Sequence, residues 1–394
     1  MEAENLAQNQ LSSPKIGAFW PTRAHECLLR AALLRGPAAR AAWEQWSGQA
    51  SLDTLDAGSF RLLPLLYANL EAEGVRHPLM SKLKGIYRYH WTKTRVLFHQ
   101  AGLVLDRLHA AGFQTLMLKG AALATLYYPN PGLRPMDDFD VLVPLSQAAA
   151  AAALLVEAGW QPILQRPLRA FTPAYFSVRP GHGFRNAAGQ SCDLHWHVLF
   201  QACRPEADVS FWQAAIPLAF QGRATLALSP ADQLLHLCAH GTLWNPMPSV
   251  RWAADAVLLL RAAAVDWPRL VAQAQAFALT LPLFDTLAYL KRLLDAPVPD
   301  TVLEQLWDAP FSGPERQAYE SWGNPPNWRY LLPQLEGQYR LYSAIGRGRS
   351  PLGHVAGRLR FVQQLWGLDH LWQLPGAAWL KLREWWQSKR LFLK

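Results

Sequence analysis

The sequence predicts an α+β fold in which a small mixed β-sheet core is flanked by N-terminal and C-terminal helical regions, with helix predominating overall. Apolar residues recur at three- and four-residue spacing over residues 24–108 and again from residue 229 onward, as in helices that bury one face. Strand-like runs are confined to residues 113–200. With 51% hydrophobic and 17% charged residues, the chain can form a sizeable core. We therefore expect three regions: an N-terminal helical region at 1–99, the core at 100–228 and a C-terminal helical domain at 229–394.

The N-terminal region is expected to be helical after a polar tail. The segments FRLLPLLYANLEAEG and LKGIYRYHWTKTRVLFHQAGLVLDRLHAAG both have helical spacing. Both also end at glycine, which is common just after a helix C-terminus. The second segment predicts one long helix that ends near Gly112.

The hydrophobic period changes after Gly112. The short apolar run FQTLMLK predicts a buried strand, GAALATLYY a helix, and DFDVLV a further strand that Pro144 ends. The stretch GHGFRNAAGQSCDLHWHVLF predicts a hairpin that turns at NAAG and has CDLHWHV as its second strand. The core is therefore expected to alternate strands and helices before the chain becomes helical again.

Composition narrows the functional class. The formal net charge is +9, but no dense basic run with interleaved aromatic residues precedes the C-terminal tail, so no clear nucleic-acid surface is expected. The four cysteines form no CxxC pair, which suits a reducing compartment. No signal-peptide pattern is present, and no apolar run approaches the ~18 residues that span a bilayer. These features predict a cytoplasmic protein.

Three aspartates stand at the start of the strand DFDVLV. Residues i and i+2 of a strand face the same way, so Asp138 and Asp140 share one face and Asp137 points to the other. Two carboxylates on one face repel each other unless a cation lies between them, and Mg²⁺ prefers such oxygen ligands together with phosphate oxygens. We therefore predict a metal site at Asp138 and Asp140, and a structural role for Asp137.

A third carboxylate is expected from the strand CDLHWHV, in which Asp193, His195 and His197 share one face by parity. The same segment raises the alternative of a zinc site. That alternative is weaker, because Cys192 lies on the opposite face and its spacing to Cys203 and the histidines matches no zinc pattern.

The dipeptide Lys119–Gly120 lies where a predicted strand meets a predicted helix. Free backbone N–H groups at a helix N-terminus bind phosphate, and a neighbouring ammonium group adds charge. A lone Lys-Gly pair is weak evidence, but the strand, helix and D-x-D strand around it strengthen the prediction of a phosphate site.

These motifs together resemble a known family. LMLKGAALATLYYPNPGLRPMDDFDVLV with CDLHWHV is similar to the uncharacterised bacterial nucleotidyltransferase family of the DNA polymerase beta-like superfamily, whose core reads LKGaaLa…Y…RpmxDhDhLV followed by DLHW. Weaker similarity in LLHLCAHG and RWAADAVLLL extends the resemblance over most of residues 100–260. The superfamily's usual Gly-Gly or Gly-Ser pair is Gly120–Ala121 in this chain, so no serine hydroxyl is available there for the phosphates.

The resemblance implies a two-metal enzyme that transfers an NMP group from an NTP, expected to be ATP, to an acceptor hydroxyl with release of pyrophosphate. Asp138 and Asp140 would bind both Mg²⁺ or Mn²⁺ ions. Asp193 would bind the catalytic ion and help to deprotonate the acceptor. The residues implied in triphosphate binding are Lys119, Gly120 and Ala121.

Other polar residues leave alternatives open. Arg134 could contact the triphosphate or could pair with Asp137 and hold the loop. His195 could contact the nucleotide or could be a buried structural histidine. The helical region after the core closes over the nucleotide in polymerase beta-like enzymes, which suggests a further set of candidates: His240, Arg251 and Asp255. The default for Arg251 and Asp255 is an (i, i+4) ion pair.

Two other functional classes compete with the enzyme. A catalytically silent nucleotidyltransferase-like module would bind a nucleotide or a partner protein, but the complete acidic triad favours the enzyme. A protein kinase is disfavoured because the chain lacks a Gly-rich loop and an H-R-D-type segment. The acceptor could be a small molecule, a sugar, a peptide or a protein. The C-terminal stretch PGAAWLKLREWWQSKRLFLK could contact a membrane peripherally or could pack its tryptophans on the protein core, and we favour packing.

Overall fold

A computed structural model of the protein describes residues 20–163, 167–242 and 250–310, and, nearer the C-terminus, residues 315–316, 319, 351–366, 368, 370–380 and 383. Within these residues the α+β prediction is confirmed, because one mixed sheet is surrounded by helices.

The sheet in the described residues has seven strands in the order β3-β4-β5-β2-β1-β7-β6. β2 and β5 are parallel, as are β1 and β7, while the other neighbours are antiparallel. The strands are β1 (Leu116–Leu118), β2 (Asp138–Leu142), β3 (Gln161–Pro162), β4 (Gly181–Arg185), β5 (Ser191–His195), β6 (Ile216–Phe220) and β7 (Arg223–Ala227). The hairpin predicted around NAAG is confirmed as β4–β5.

Helices precede the sheet, as the helical spacing predicts. They are α1 (Arg23–Leu33), α2 (Gly36–Ser47), α3 (Ala57–Phe60), α4 (Leu63–Ala72) and α5 (Met80–Ala110). Thr22 caps α1, because its side chain accepts a hydrogen bond from the backbone N–H of His25. The single long helix predicted before Gly112 is α5, whose 31 residues run through the expected region boundary at residue 99.

Helices also connect the strands and follow the sheet. Those within the core are α6 (Lys119–Leu126), α7 (Ala148–Glu157), α8 (Pro173–Phe176) and α9 (Val209–Gln213). Those after it are α10 (Pro230–Thr242), α11 (Arg251–Ala262), α12 (Trp267–Ala276), α13 (Thr280–Leu294), α14 (Asp300–Asp308) and α15 (Pro351–Trp366).

The sheet separates two apolar cores, and alternation along its strands decides which core each side chain joins. On β1, Leu116 and Leu118 pack with helices from both ends of the chain, whereas Met117 packs on the opposite face. On β2, Phe139 and Val141 are fully buried in that second core together with residues of α5 and α7. The acidic residues of β2 therefore alternate with side chains that fix the strand in place.

The C-terminal segment is described in part. Trp379 is 59% exposed, and the Arg383 guanidinium lies 5.6 Å from the centre of its ring. The remaining residues that predicted a membrane-facing or core-packed helix, Leu382 and Trp386 among them, lie outside the described residues. None of the helices that the structure describes combines the length and the apolar character needed to cross a bilayer.

Candidate active site

Two adjacent parallel strands bring the predicted carboxylates together. Asp140 of β2 pairs in register with Asp193 of β5, and two residues further along Leu142 pairs with His195. Side chains at paired positions of adjacent strands share a face of the sheet. One ligand atom from each of Asp140, Asp193 and His195 can be chosen so that all three lie within 4.8 Å of one another. Asp138 is two residues before Asp140, at the exposed first position of β2.

Lys119 supplies a cation to this cluster. It follows β1 directly and is the first residue of α6, and its φ angle of 43° lies in the left-handed region that non-glycine residues rarely adopt. Its ammonium group is 2.5 Å from Asp140 Oδ1. The lysine side chain is 22% exposed, whereas that of Asp140 is 5% exposed. The predicted triphosphate-binding lysine therefore binds one of the predicted metal ligands.

His195 completes the contacts of Asp140. Its Nε2 is 3.0 Å from Asp140 Oδ1 and 3.2 Å from Lys119 Nζ. A nitrogen that donates to Asp140 cannot also accept from Lys119, so only one of these contacts is a hydrogen bond at a time. The other ring nitrogen packs against Gly181, where an added Cβ would come within 2.9 Å of Nδ1. His195 is thus fixed beside the carboxylates.

The carboxylates of the cluster are unequally neutralised. Burial opposes the charged form of Asp140, but Lys119 and His195 outweigh it and hold the pKa of Asp140 well below its usual range. Burial, followed by the charge of Asp140, raises the pKa of Asp193 to about 7. Burial of the carboxylate, followed by the charge of Asp140, raises the pKa of Asp138. The residue as a whole is nevertheless exposed. The cluster therefore has more negative charge than its one lysine neutralises.

Two glycines leave space around these side chains. Gly183 of β4 pairs with Asp193, and a Cβ at Gly183 would come within 3.0 Å of Asp193 Oδ1. Gly120 follows Lys119, and a Cβ there would meet Arg134 Nη1 at 2.6 Å and the sulfur of Met136 at 2.7 Å. Gly120 therefore allows the loop before β2 to pack closely on α6. Ala121, the next residue, is fully buried in the second core.

The parity prediction for Asp137 agrees with its contacts. Arg61 donates to Asp137 Oδ2 at 2.7 Å, and Lys93 of α5 also pairs with this carboxylate. These cations explain why the pKa of Asp137 is lowered despite partial burial. The suggested pairing of Asp137 with Arg134 is wrong, because the partners of Asp137 are Arg61 and Lys93. Both lie more than forty residues away in sequence, so spacing could not indicate them.

Hydrogen bonds and an ion pair connect the loop before β2 to helix α11, which follows the core. Arg134 donates to both carboxylate oxygens of Asp255 at 2.7 and 2.8 Å, and Tyr128 donates to the same carboxylate at 2.6 Å. The default (i, i+4) pair of Arg251 with Asp255 is therefore wrong. Arg251 donates to the carbonyl oxygen of Pro135 at 2.5 Å. A contact of Arg134 with a triphosphate stays a prediction.

Helices α10 and α11 contribute further basic groups near the cluster. The rings of His236 and His240 are stacked with their planes inclined by 27° and their centres 5.7 Å apart. Burial and the nearby charge of Lys119 lower the pKa of His240 to about 3. Burial and the charge of Arg134 lower the pKa of Arg251 to about 10. Burial, followed by the charges of His240 and Lys119, lowers the pKa of His236 well below its usual value.

The zinc alternative gains no support from the described residues. Cys192 is buried on the opposite face, where burial raises its thiol pKa well above the usual value. His197 lies beyond the end of β5 and is hydrogen-bonded through Nδ1 to Asp208. All four cysteines are free and buried.

The mixed sheet, with carboxylates on adjacent parallel strands beside a strand-to-helix junction, defines a nucleotidyltransferase-like protein. Residues 57–295, more than half of the 394-residue chain, match the family described as uncharacterised nucleotidyltransferase. The chain belongs to that family. The family resemblance predicted from sequence is thus confirmed.

The fold was also compared with solved structures, and one of the structures that match this chain is described by a related name. It is an antigenic nucleotidyltransferase-like protein from Paracoccidioides brasiliensis, which is 17% identical and superposes with a TM-score of 0.36. The match covers 54% of this chain and 96% of that one. The search of curated proteins found no match.

Proposed function

We propose that the protein is a Mg²⁺- or Mn²⁺-dependent nucleotidyltransferase that transfers an NMP group from an NTP, with ATP as the expected donor, to an acceptor hydroxyl. One observation carries the proposal. Asp140 and Asp193 lie in register on adjacent parallel strands, with His195 beside them and the ammonium group of Lys119 in contact with Asp140. Membership of the nucleotidyltransferase family supports the same chemistry.

The residues of the cluster fit a divalent cation. Carboxylate oxygens are the preferred protein ligands of Mg²⁺ and Mn²⁺. Burial, followed by the negative charge of Asp140 that Lys119 offsets only in part, raises the pKa of Asp193 to about 7. Asp138, Asp140 and Asp193 would hold the cation. When bound, it would polarise the α-phosphate and neutralise charge on the attacking and leaving oxygens.

The chain's own groups have distinct tasks in this proposal. The acceptor oxygen forms a bond to the α-phosphorus while the bond from that phosphorus to the bridging oxygen breaks, and pyrophosphate leaves. Asp193 accepts the proton from the acceptor hydroxyl, a role for a carboxylate held within hydrogen-bond reach of that group. Lys119 and the first N–H groups of α6 bind the phosphates, because a helix N-terminus favours anions.

A second candidate is a catalytically silent module that binds a nucleotide or a partner protein. The ion pair between Lys119 and Asp140 favours it, because a permanent ammonium group could neutralise the carboxylate in place of a metal. The two candidates differ in whether the cluster binds a divalent cation and releases pyrophosphate.

The test is pyrophosphate release by the purified protein with Mg²⁺ or Mn²⁺ and each of the four NTPs, with a cell extract as the source of acceptors. Mass spectrometry would identify an acceptor whose mass has increased by one NMP. Asp140→Asn should lower the rate by about 10³-fold or more, because it removes a charged ligand. Asp137→Asn is the matched control, since it makes the same chemical change on the opposite face of the segment and should keep most of the activity. Absence of release with all four NTPs would favour the silent module.

A further inference from the structure

We propose that Lys119 occupies the divalent-cation position when no nucleotide is bound, and that it must leave Asp140 before the cation can bind there. The arriving triphosphate provides its next partner, so cation and nucleotide bind cooperatively. This inference rests on the proposed function, and it assigns Lys119 a positioning role that goes beyond phosphate binding.

The first support is the place of the ammonium group. Lys119 Nζ lies 2.5 Å from Asp140 Oδ1 and 3.2 Å from His195 Nε2, and these two residues belong to the one group with metal-ligand geometry found in the described residues. The Asp140 contacts of both Lys119 and His195 use Oδ1. An ammonium group and a divalent cation cannot both contact that oxygen at these distances without strong repulsion.

The second support is the backbone of Lys119. Four non-glycine residues in the described chain have positive φ angles, and Lys119 is the one that lies in the carboxylate cluster. Glycine would adopt this conformation without steric cost. A lysine held there costs conformational energy, and such strain persists where surrounding contacts fix it. The contact with Asp140 supplies that constraint.

The third support is that Lys119 has room to move whereas Asp140 does not. The lysine side chain is 22% exposed and has a flexible four-carbon stem, while the Asp140 side chain is 5% exposed and sits in the middle of β2. Lys119 is also the first residue of the eight-residue helix α6, so phosphates bound at that N-terminus lie within its reach.

Cooperativity follows by linkage. If the triphosphate draws Lys119 away from Asp140, it raises the affinity for the cation, and the cation raises the affinity for the triphosphate by the same factor. Without nucleotide, the protein then binds free Mg²⁺ weakly, and the intact ion pair keeps the acidic cluster neutralised.

The experiment measures Mn²⁺ binding by electron paramagnetic resonance of the free ion, with the full-length protein and no nucleotide. Lys119→Met should raise Mn²⁺ affinity about tenfold or more, because it removes a competing unit charge from a half-buried site. Lys119→Arg keeps the charge and should stay near the parent. Lys93→Met is the matched control. It removes the same charge beside Asp137, outside the cluster, and should change Mn²⁺ affinity less than about twofold.

A second series adds an equimolar mixture of the four α,β-methylene NTPs, which cannot be cleaved at the α-phosphate. These analogues should raise Mn²⁺ affinity in the parent more than in Lys119→Met, where the competitor is already absent. Melting curves confirm folding, and Mn²⁺ should raise the melting temperature of Lys119→Met more than that of the parent.

Equal or weaker Mn²⁺ binding by folded Lys119→Met would overturn the inference, whether or not the parent is active. Absence of Mn²⁺ binding in the parent and in Lys119→Met would overturn both this inference and the metal-dependent function. Tighter binding by Lys119→Met, with no pyrophosphate release by the parent, would support the inference and remove the proposed activity.

Discussion

Two buried ion pairs lie close to the start of α6, and they are built differently. Arg134 and Asp255 form a bidentate ion pair, and Tyr128 donates a further hydrogen bond to the same carboxylate. Lys119 contacts Asp140 through a single oxygen, next to two further acids whose pKa values are raised. In the first pair the two charges neutralise each other. Around the second pair, the carboxylates of Asp138 and Asp193 have no cation of their own among the described residues.

This difference indicates a structural role for the Arg134–Asp255 pair and a functional role for the acidic cluster. A buried pair with all its hydrogen bonds made fixes the elements that carry it, here the loop before β2 and helix α11. A cluster with excess negative charge is costly by itself and becomes favourable when it binds a cation. Three predictions test this contrast by changing one pair or the other.

The largest expected effect is on stability. Asp255→Asn should lower the free energy of unfolding by about 3–5 kcal/mol, because it leaves the Arg134 guanidinium buried without its counter-ion. Asp140→Asn should lower it by less than Asp255→Asn does in metal-free protein, because Lys119 keeps Asp193 and Asp138 nearby and the repulsion of Asp140 on those two acids is removed. Urea unfolding in EDTA measures both. A loss as large for Asp140→Asn as for Asp255→Asn would contradict the contrast.

The next effect is on pH dependence. An aspartate whose pKa is higher in the folded state holds its proton more tightly when the protein is folded. Its contribution to the free energy of unfolding therefore falls as pH rises. For Asp193 the fall runs from about pH 4, the unfolded pKa, to about pH 7. The metal-free protein should lose about 2–3 kcal/mol of stability over that range. Asp193→Asn should flatten the curve there.

The control for this pH series is Asp137→Asn. Arg61 and Lys93 lower the pKa of Asp137, so its stabilising contribution is present above about pH 4 and is lost on further acidification. This variant should therefore change the curve chiefly below pH 4. Melting temperatures in EDTA from pH 3 to pH 8 distinguish the two windows, and an unchanged slope in Asp193→Asn between pH 4 and pH 7 would refute the assignment.

The smallest expected effect is steric. Gly120→Ala should cost about 1–3 kcal/mol, because its Cβ would lie 2.6 Å from the Arg134 guanidinium, which Asp255 prevents from moving away. Gly85→Ala is the matched control, since it lies in α5 with nothing within 4 Å of the new Cβ. It should stabilise the protein by up to about 1 kcal/mol. If Gly120→Ala left the stability unchanged, the Arg134–Asp255 pair would tolerate displacement.

Local rules predicted much of the site from the sequence. Strand parity separated Asp137 from Asp138 and Asp140, and the change of hydrophobic period located β1, β2 and the β4–β5 hairpin. These properties depend on neighbours within a few residues. The acids were therefore assigned to one face before any register between strands was known.

Partners distant in sequence could not be predicted in the same way. Asp255 is 121 residues from Arg134, and nothing in the spacing of either residue indicates the pair. The β6–β7 hairpin was also missed. Its turn is formed by Gln221 and Gly222, both with positive φ angles, and a lone glycine after glutamine is a weaker hairpin signal than Asn-Gly.

The parallel pairing of β1 with β7 has a consequence for biosynthesis. Thr115, just before β1, bonds through its hydroxyl to Thr225 of β7, 110 residues later in the chain. At translation rates of roughly 5–20 residues per second, β1 emerges from the ribosome roughly 5–20 s before its parallel neighbour. During that delay β1 presents an open edge, while β2 and β5 can already pair with each other. The strand that Lys119 follows, β1, thus gains its second neighbour after the strands that carry the acids have formed. A ribosome that stalls before residue 223 would leave the edge of β1 unpaired and open to pairing with other chains.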